Sequence, residues 1–353
     1  MNNHITFQHA IDMLNSQKQP YEILHLGGDW KAIVTQYGGR LIGPFQGNGE
    51  SVLWCNPAWR DAESFARHIE NRSWNLGGER FWVNPELRFF CEAPEKFDST
   101  YTVQTELDPG NYALTREGDS ICLAQSVSIR DLNNGAPKSF DIRRRYIAAA
   151  NPLAYVKSMQ DIDVDFCGYV QDIDLYDTLP ETKMYLEPWT VDQVNPEGGR
   201  FVTPFFGEFD FVDYYIPAEE MQTVRDGYAE LKVTGNRKYK VCYRSAQTFG
   251  RMAYVRPDGD RWHLMVRNYY NDPSIPYCSE PWGDLGNKGC STYYYNDDES
   301  NGGFGEFEHG GMTIGLDANR THCSNTSSIW FFFGSQQDIG RIMKTLLGID
   351  YQF

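Results

Sequence analysis

The segment GFGEFEHGGMTIG, residues 303–315, sets Glu306, Glu308 and His309 almost side by side. A carboxylate and an imidazole are the groups most often used to take up and give back protons near neutral pH. Glycines on both sides read as turns around a short strand, and in a regular strand successive side chains leave opposite faces. Glu306 and Glu308 then share one face, while Phe307 and His309 share the other. Two carboxylates on one partly buried face raise the pKa of at least one of them, which suits a base or an acid working near neutrality. Either the two glutamates line a pocket together, or a bulge at the flanking glycines turns His309 in to join them.

Other stretches carry reactive side chains. In RWHLMVRNY (261–269) His263 alternates with Trp262 and Leu264 and shares its face with Arg267. That face either lines a pocket or is a solvated strand surface. Asp297, Glu299, Asn301, Gly302 and Glu308 reproduce the spacing of a calcium-binding helix–loop–helix loop, but their flanks, YYYNDD and FEHGG, read as strand and turn, not helix. The acidic loop is therefore a calcium site of another kind or an exposed hairpin turn, and calcium is the one cofactor to weigh. A zinc site from Glu306, Glu308 and His309 is disfavoured because their faces diverge.

Composition narrows the classes. A formal net charge of −16 over 353 residues argues against nucleic acid and anionic membrane as partners, since phosphates are bound by clustered Lys and Arg. The start, MNNHITFQHAIDMLNSQKQ, has neither the basic nor the apolar region of a signal peptide, and no run approaches the length of a membrane span, so a cytoplasmic protein is expected. The eight cysteines include no CxxC pair and read as reduced, mostly buried thiols. The sequence leaves the oligomeric state open.

The elements that must position these residues are mostly strands. Only the ends have helical spacing: Phe7, Ala10, Ile11 and Leu14 near the start, and Ile339, Ile342, Met343, Leu346 and Leu347 near the finish, behind Ser335 and Asp338 in capping-box positions. Between them the period is two, as in Phe140, Ile142, Arg144 and Tyr146, and turn signals recur at DPGN (108–111), REGD (116–119), NNGA (133–136), PEGG (196–199) and RPDGD (256–260). We expect an all-β chain of two large stacked sheets in a single domain over residues 1–353. Residues 1–20 form an N-terminal helix and lead-in, 21–334 the body and 335–353 a C-terminal helix.

The segments YGGRLIGPF (37–45), VLWCNP (52–57), WNLGGERFWVNPELRFF (74–90), LEPWTVDQV (186–194) and FGEFEHGG (304–311) follow one another in an order that resembles the galactose mutarotase-like superfamily, the aldose 1-epimerases and their uncharacterised relatives. The resemblance runs from about residue 30 to about residue 335. It implies a large antiparallel supersandwich, a carbohydrate ligand and a glutamate general base on the late strand, Glu306 or Glu308. Sugar rings pack their C–H faces on aromatic rings while polar neighbours take the hydroxyls. Trp82, Trp189 and Trp282, with Arg80, Glu86 and Arg267, are accordingly the candidate binding residues beside Glu306, Glu308, His309 and His263.

Two departures from the family pattern stand out. The mid-chain histidine acid is missing from DFCGYVQDIDLYDT (165–178), and Leu76 stands where sugar-phosphate relatives have an arginine, leaving Arg80 downstream as a substitute. The expected functions are an aldose 1-epimerase-like isomerase or a non-catalytic sugar-binding protein on the same fold. A third is a polysaccharide lyase-like enzyme, with Arg143, Arg144 and Arg145 facing the uronate.

Overall fold

Alternation of buried and more exposed residues runs through Ser120–Arg130, Pro137–Ala148 and the later part of Val164–Asp177, while strands such as Glu79–Asn84 and Glu187–Val194 are buried throughout. The computed structural model describes residues 5–214, 216–281 and 284–353, and it pairs such segments into antiparallel ladders. In chain order the strands are β1 (Tyr21–Gly27), β2 (Trp30–Thr35), β3 (Leu41–Gln46), β4 (Glu79–Asn84), β5 (Ala113–Glu117), β6 (Ser120–Arg130), β7 (Pro137–Ala148), β8 (Val164–Asp177), β9 (Glu187–Val194) and β10 (Arg200–Pro204). They continue as β11 (Phe211–Asp213), β12 (Gln222–Arg225), β13 (Tyr228–Lys232), β14 (Tyr239–Arg244), β15 (Arg251–Asp258), β16 (Arg261–Tyr269), β17 (Cys290–Asn296), β18 (Gly305–Gly310) and β19 (His322–Gly334).

A nine-stranded sheet has the order β1-β2-β3-β4-β9-β18-β17-β14-β11, and a ten-stranded sheet the order β12-β13-β10-β15-β16-β19-β8-β7-β6-β5. The main core lies between them, with Val34, Val194, Tyr294 and Phe307 from the first sheet meeting Leu123, Tyr169, Met265 and Phe331 from the second. The all-β supersandwich expected from the sequence is the architecture found.

Helices cover the outer faces. The first, α1 (Phe7–Ser16), buries Phe7, Ala10, Ile11 and Leu14 against Ile33, Ile42 and Phe45 of the nine-stranded sheet. Sequence spacing places helices only at the ends, but α2 (Ala62–Glu70) is a further one, started by Asp61, whose Oδ1 accepts from Ser64 N at 2.8 Å. It buries only Phe65 and His68, too few apolar positions to leave a clear helical stripe. Two single turns, α3 (Glu86–Phe89) and α4 (Phe97–Thr100), interrupt the long connection from β4 to β5. The last helix, α5 (Gln336–Leu347), has Ser335 Oγ accepting from Asp338 N, and it packs Ile339, Ile342 and Met343 on Val255, Leu264, Val266 and Phe332 of the ten-stranded sheet.

The reading of all cysteines as free thiols is corrected at one pair. Cys242 on β14 and Cys290 on β17 form a disulfide, with Cα atoms 5.8 Å apart on neighbouring strands. The remaining six are free, and all but Cys122 are buried. Among the described residues no helix is long and apolar enough to cross a membrane.

The packing of α5 predicts that Ile342→Ala lowers unfolding free energy by about 2–5 kcal/mol in urea denaturation, because it empties a fully buried site. Gln337→Ala, on the exposed side of the same helix, should stay within about 0.5 kcal/mol of wild type.

Candidate functional site

Strand β18 lies in the middle of the nine-stranded sheet, between β9 and β17. Its register sets Glu306 opposite Gln193 and Tyr295, and Glu308 opposite Val191 and Tyr293. On the same outer face β4 adds Arg80 opposite Val191 and Trp82 opposite Trp189, and β14 adds Lys240 opposite Tyr295. Five adjacent strands therefore form one floor. Above it, the connection through α3 and α4 brings Glu86, Phe97, Asp98 and Tyr101, while the 297–304 turn brings Ser300, Asn301 and Phe304. Between these walls is a cleft of about 350 Å³, to which Trp74, Lys238 and the ring of Trp189 also contribute.

Charge in the cleft is paired. Arg80 Nη2 donates to Glu306 Oε1 at 2.7 Å, and Gln193 Nε2 donates to the same oxygen at 3.2 Å. The Arg80 guanidinium lies 4.1 Å from the centre of the Trp82 ring and 5.1 Å from that of Trp74, a cation–π arrangement that holds it flat against the floor. Trp82 is itself fixed by its indole N–H donating to Asp108 Oδ2 at 2.7 Å, and Arg40 Nη2 donates to that oxygen at 2.6 Å. Lys240 Nζ donates to Glu86 Oε2 at 2.9 Å and stands 4.4 Å from the centre of the Trp189 ring. At the mouth, Lys238 pairs with Asp98 across the cleft.

The two glutamates of the strand differ. Glu306 reaches the cleft surface, and its Oε2 makes no hydrogen bond among the described residues. Glu308 lies wholly beneath, where its Oε2 accepts from Trp189 Nε1 at 2.7 Å and is 3.5 Å from Lys240 Nζ, and its Oε1 has no partner. Burial pushes the Glu308 carboxyl up to about 7, partly offset by Lys240, with Glu306 and Glu86 adding to the rise.

Not all the residues expected in the site meet there. Glu306, Arg80, Trp82, Glu86 and Trp189 line the cleft, with Glu308 directly under it. His309 is on the opposite face of β18, so no bulge turns it outward; Arg267 Nη1 lies 3.1 Å from its Nδ1, and the Tyr269 ring packs against it at a tilt, with centroids 4.8 Å apart. Arg267 also belongs to the interior, where its Nη2 donates to Asp192 Oδ2 at 2.5 Å. His263 is neither in the pocket nor on a solvated face: it stacks on Phe333 at 4.8 Å between the sheets, while the opposite face of β16 is covered by α5. Burial holds both histidines well below their ordinary pKa, and so neutral. Trp282 lies outside the described residues.

The acidic loop does not gather a metal-ligand set. Asp297 spends its oxygens on the loop itself, accepting from Tyr295 OH at 3.0 Å, Asn301 N at 3.1 Å and Gly303 N at 2.9 Å, and Glu308 is held in the sheet. Among the described residues no group of three or more His, Cys, Asp or Glu side chains could hold a metal ion. The basic run also divides, because Arg144 points between the sheets to Glu79 while Arg145 pairs with Asp172 on the outside. The sequence reading does not single out Trp74, Tyr101, Asp108, Lys238 or Lys240. Lys240 alone carried a signal, as a cation inside the strand-like YKVCYR, one residue before Val241 and Cys242.

No protein-family model matches the sequence, and no curated protein matches it. Solved structures do resemble the fold. The Slr1438 protein from Synechocystis sp. PCC 6803 aligns over 89% of this chain and 96% of its own, at 10% identity and a TM-score of 0.50. A galactose 1-epimerase from Lactobacillus acidophilus NCFM aligns over 90% and 95% at 10% identity and a TM-score of 0.47. A galactose mutarotase related enzyme from Lactobacillus acidophilus covers 90% and 98% at 8% identity and a TM-score of 0.47. At such identities the likeness is one of fold. The shared feature is the pair of large stacked antiparallel sheets, the architecture that the motif order implies.

Glu308 gives a test by pH. Its carboxyl binds a proton more tightly in the folded chain than in the unfolded one, so its contribution to stability is lost as pH rises from the ordinary carboxylate range through about 7. Glu308→Gln removes that dependence. In urea denaturation from about pH 4.5 to about pH 8, the variant should gain on wild type as pH rises through this window. A difference that does not vary with pH would mean the carboxyl is not held in its protonated form.

Proposed function

We propose that the outer cleft of the nine-stranded sheet binds a sugar, and that the protein is an aldose 1-epimerase-like isomerase with Glu306 as its general base. The observation that carries this reading is the composition of one cleft: tryptophan rings beside paired charged groups, with a carboxylate oxygen of Glu306 open to the space a ligand would fill. The part-exposed Trp74 ring suits the C–H face of a pyranose, and Arg80, Lys240 and Glu86 supply the hydrogen-bonding partners for its hydroxyls. Glu306 is favoured over Glu308 as base because Glu308 is shut beneath Trp189 and Lys240. A base must reach the proton it removes.

A second reading, binding without turnover, draws support from one fact: among the described residues no histidine lines the cleft. The lyase-like reading loses the basic cluster it relied on, since Arg144 is consumed between the sheets.

Anomeric exchange followed by NMR over a panel of free aldoses, with calorimetric binding in parallel, separates these readings. The isomerase reading predicts exchange faster than buffer, and a fall of about 10²- to 10⁴-fold in Glu306→Gln with binding retained. Binding with exchange at the buffer rate would leave only the binding reading, and the absence of both would remove the sugar.

A further inference from the structure

Anomer interconversion needs a proton donor for the ring oxygen as well as a base, and most donors in the cleft are committed. Tyr295 OH donates to Asp297, Lys240 to Glu86, Lys238 to Asp98, and the Trp82 and Trp189 indoles to Asp108 and Glu308. Tyr101 differs. It follows α4, lines the cleft from the wall above the floor that carries Glu306, and its hydroxyl makes no hydrogen bond among the described residues. The ring is held in place by Phe90, stacked at 5.9 Å, and by Phe97 at 5.2 Å, and its backbone bridges to Cys91.

We propose that Tyr101 is the general acid of the cleft, taking the part of the missing histidine. The proposal rests on the sugar reading with Glu306 as base. Glu306 Oε2 removes the proton of the anomeric hydroxyl, the C1–O1 bond becomes a carbonyl as the C1–O5 pair passes to O5, and O5 takes the Tyr101 proton. Rotation about C1–C2 and the reverse steps return both protons and give the other anomer. Burial, with Glu86, Glu306 and Glu308 nearby, raises the phenol pKa, so Tyr101 is protonated throughout the neutral range. Arg80 opposes that rise and so favours the phenolate formed during the step.

Tyr101→Phe keeps the ring packing and removes only the hydroxyl. With an aldose that the wild-type protein binds and turns over, kcat should fall about 10²- to 10⁴-fold while affinity changes less than about tenfold. Replacing Tyr101 by 3-fluorotyrosine, which keeps a phenolic proton donor of nearly the same shape, should hold kcat within about tenfold of wild type. Wild-type turnover in Tyr101→Phe, a 3-fluorotyrosine protein as slow as Tyr101→Phe, or loss of binding together with a lowered melting temperature would overturn the assignment while leaving the sugar site in place. A wild-type protein that binds aldoses without exchanging them also overturns it, and one that binds none removes the sugar reading beneath it.

Discussion

Between the two sheets, fully buried, Glu79 and Asp192 of the nine-stranded sheet face Arg144 and Arg267 of the ten-stranded sheet. Buried charges are costly to desolvate, and such a cluster is tolerated only when each member finds its partners. Here they do. Arg144 Nη2 and Tyr146 OH each donate to Glu79 Oε1 at 2.7 Å, and Tyr169 OH donates to Oε2 at 2.9 Å. Arg267 lies between Asp192 and His309. A slip of one residue in β4 or β9 would turn an anion out to the cleft and leave an arginine unpaired inside. The internal cluster thus fixes which side chains face outward: with Glu79 in, Arg80 is out, and with Phe307 and His309 in, Glu306 and Glu308 are out.

The same constraint gives the cleft its electrostatics. Its cations and carboxylates are paired across neighbouring strands and walls, Arg80 with Glu306 and Lys240 with Glu86, so the floor presents ordered dipoles and not a field of one sign. Two glutamates two residues apart then sit in different environments. Glu306 meets a guanidinium at the surface of the cleft, whereas Glu308 lies under an indole with a raised pKa.

Much of this could be read from the chain. The period-two pattern gave the sheets, the capping box at Ser335 and Asp338 gave α5, and strand parity divided Glu306 and Glu308 from His309. Parity cannot say which face meets which neighbour, because every residue of β18 is buried and both faces of the strand are covered. For that reason His263 and Arg267 read as plausible pocket residues although they face the ten-stranded sheet's inner core. Tyr101 and Trp74 come from irregular connections where no period marks a direction. The Cys242–Cys290 pair, 48 residues apart, depends on the pairing of β14 with β17, which no local pattern encodes.

Strand β18 divides a carboxylate side that faces the cleft from a sealed side that holds a neutral histidine. NMR of the histidine rings and tryptophan indoles tests it directly. The His309 and His263 rings should remain neutral from about pH 8 to about pH 5.5 and be unmoved by a bound sugar, while the Trp82 and Trp189 indole N–H signals shift on its addition. A His309 ring that titrates near the ordinary value of about 6.5, or that responds to the sugar as the tryptophans do, would contradict the account.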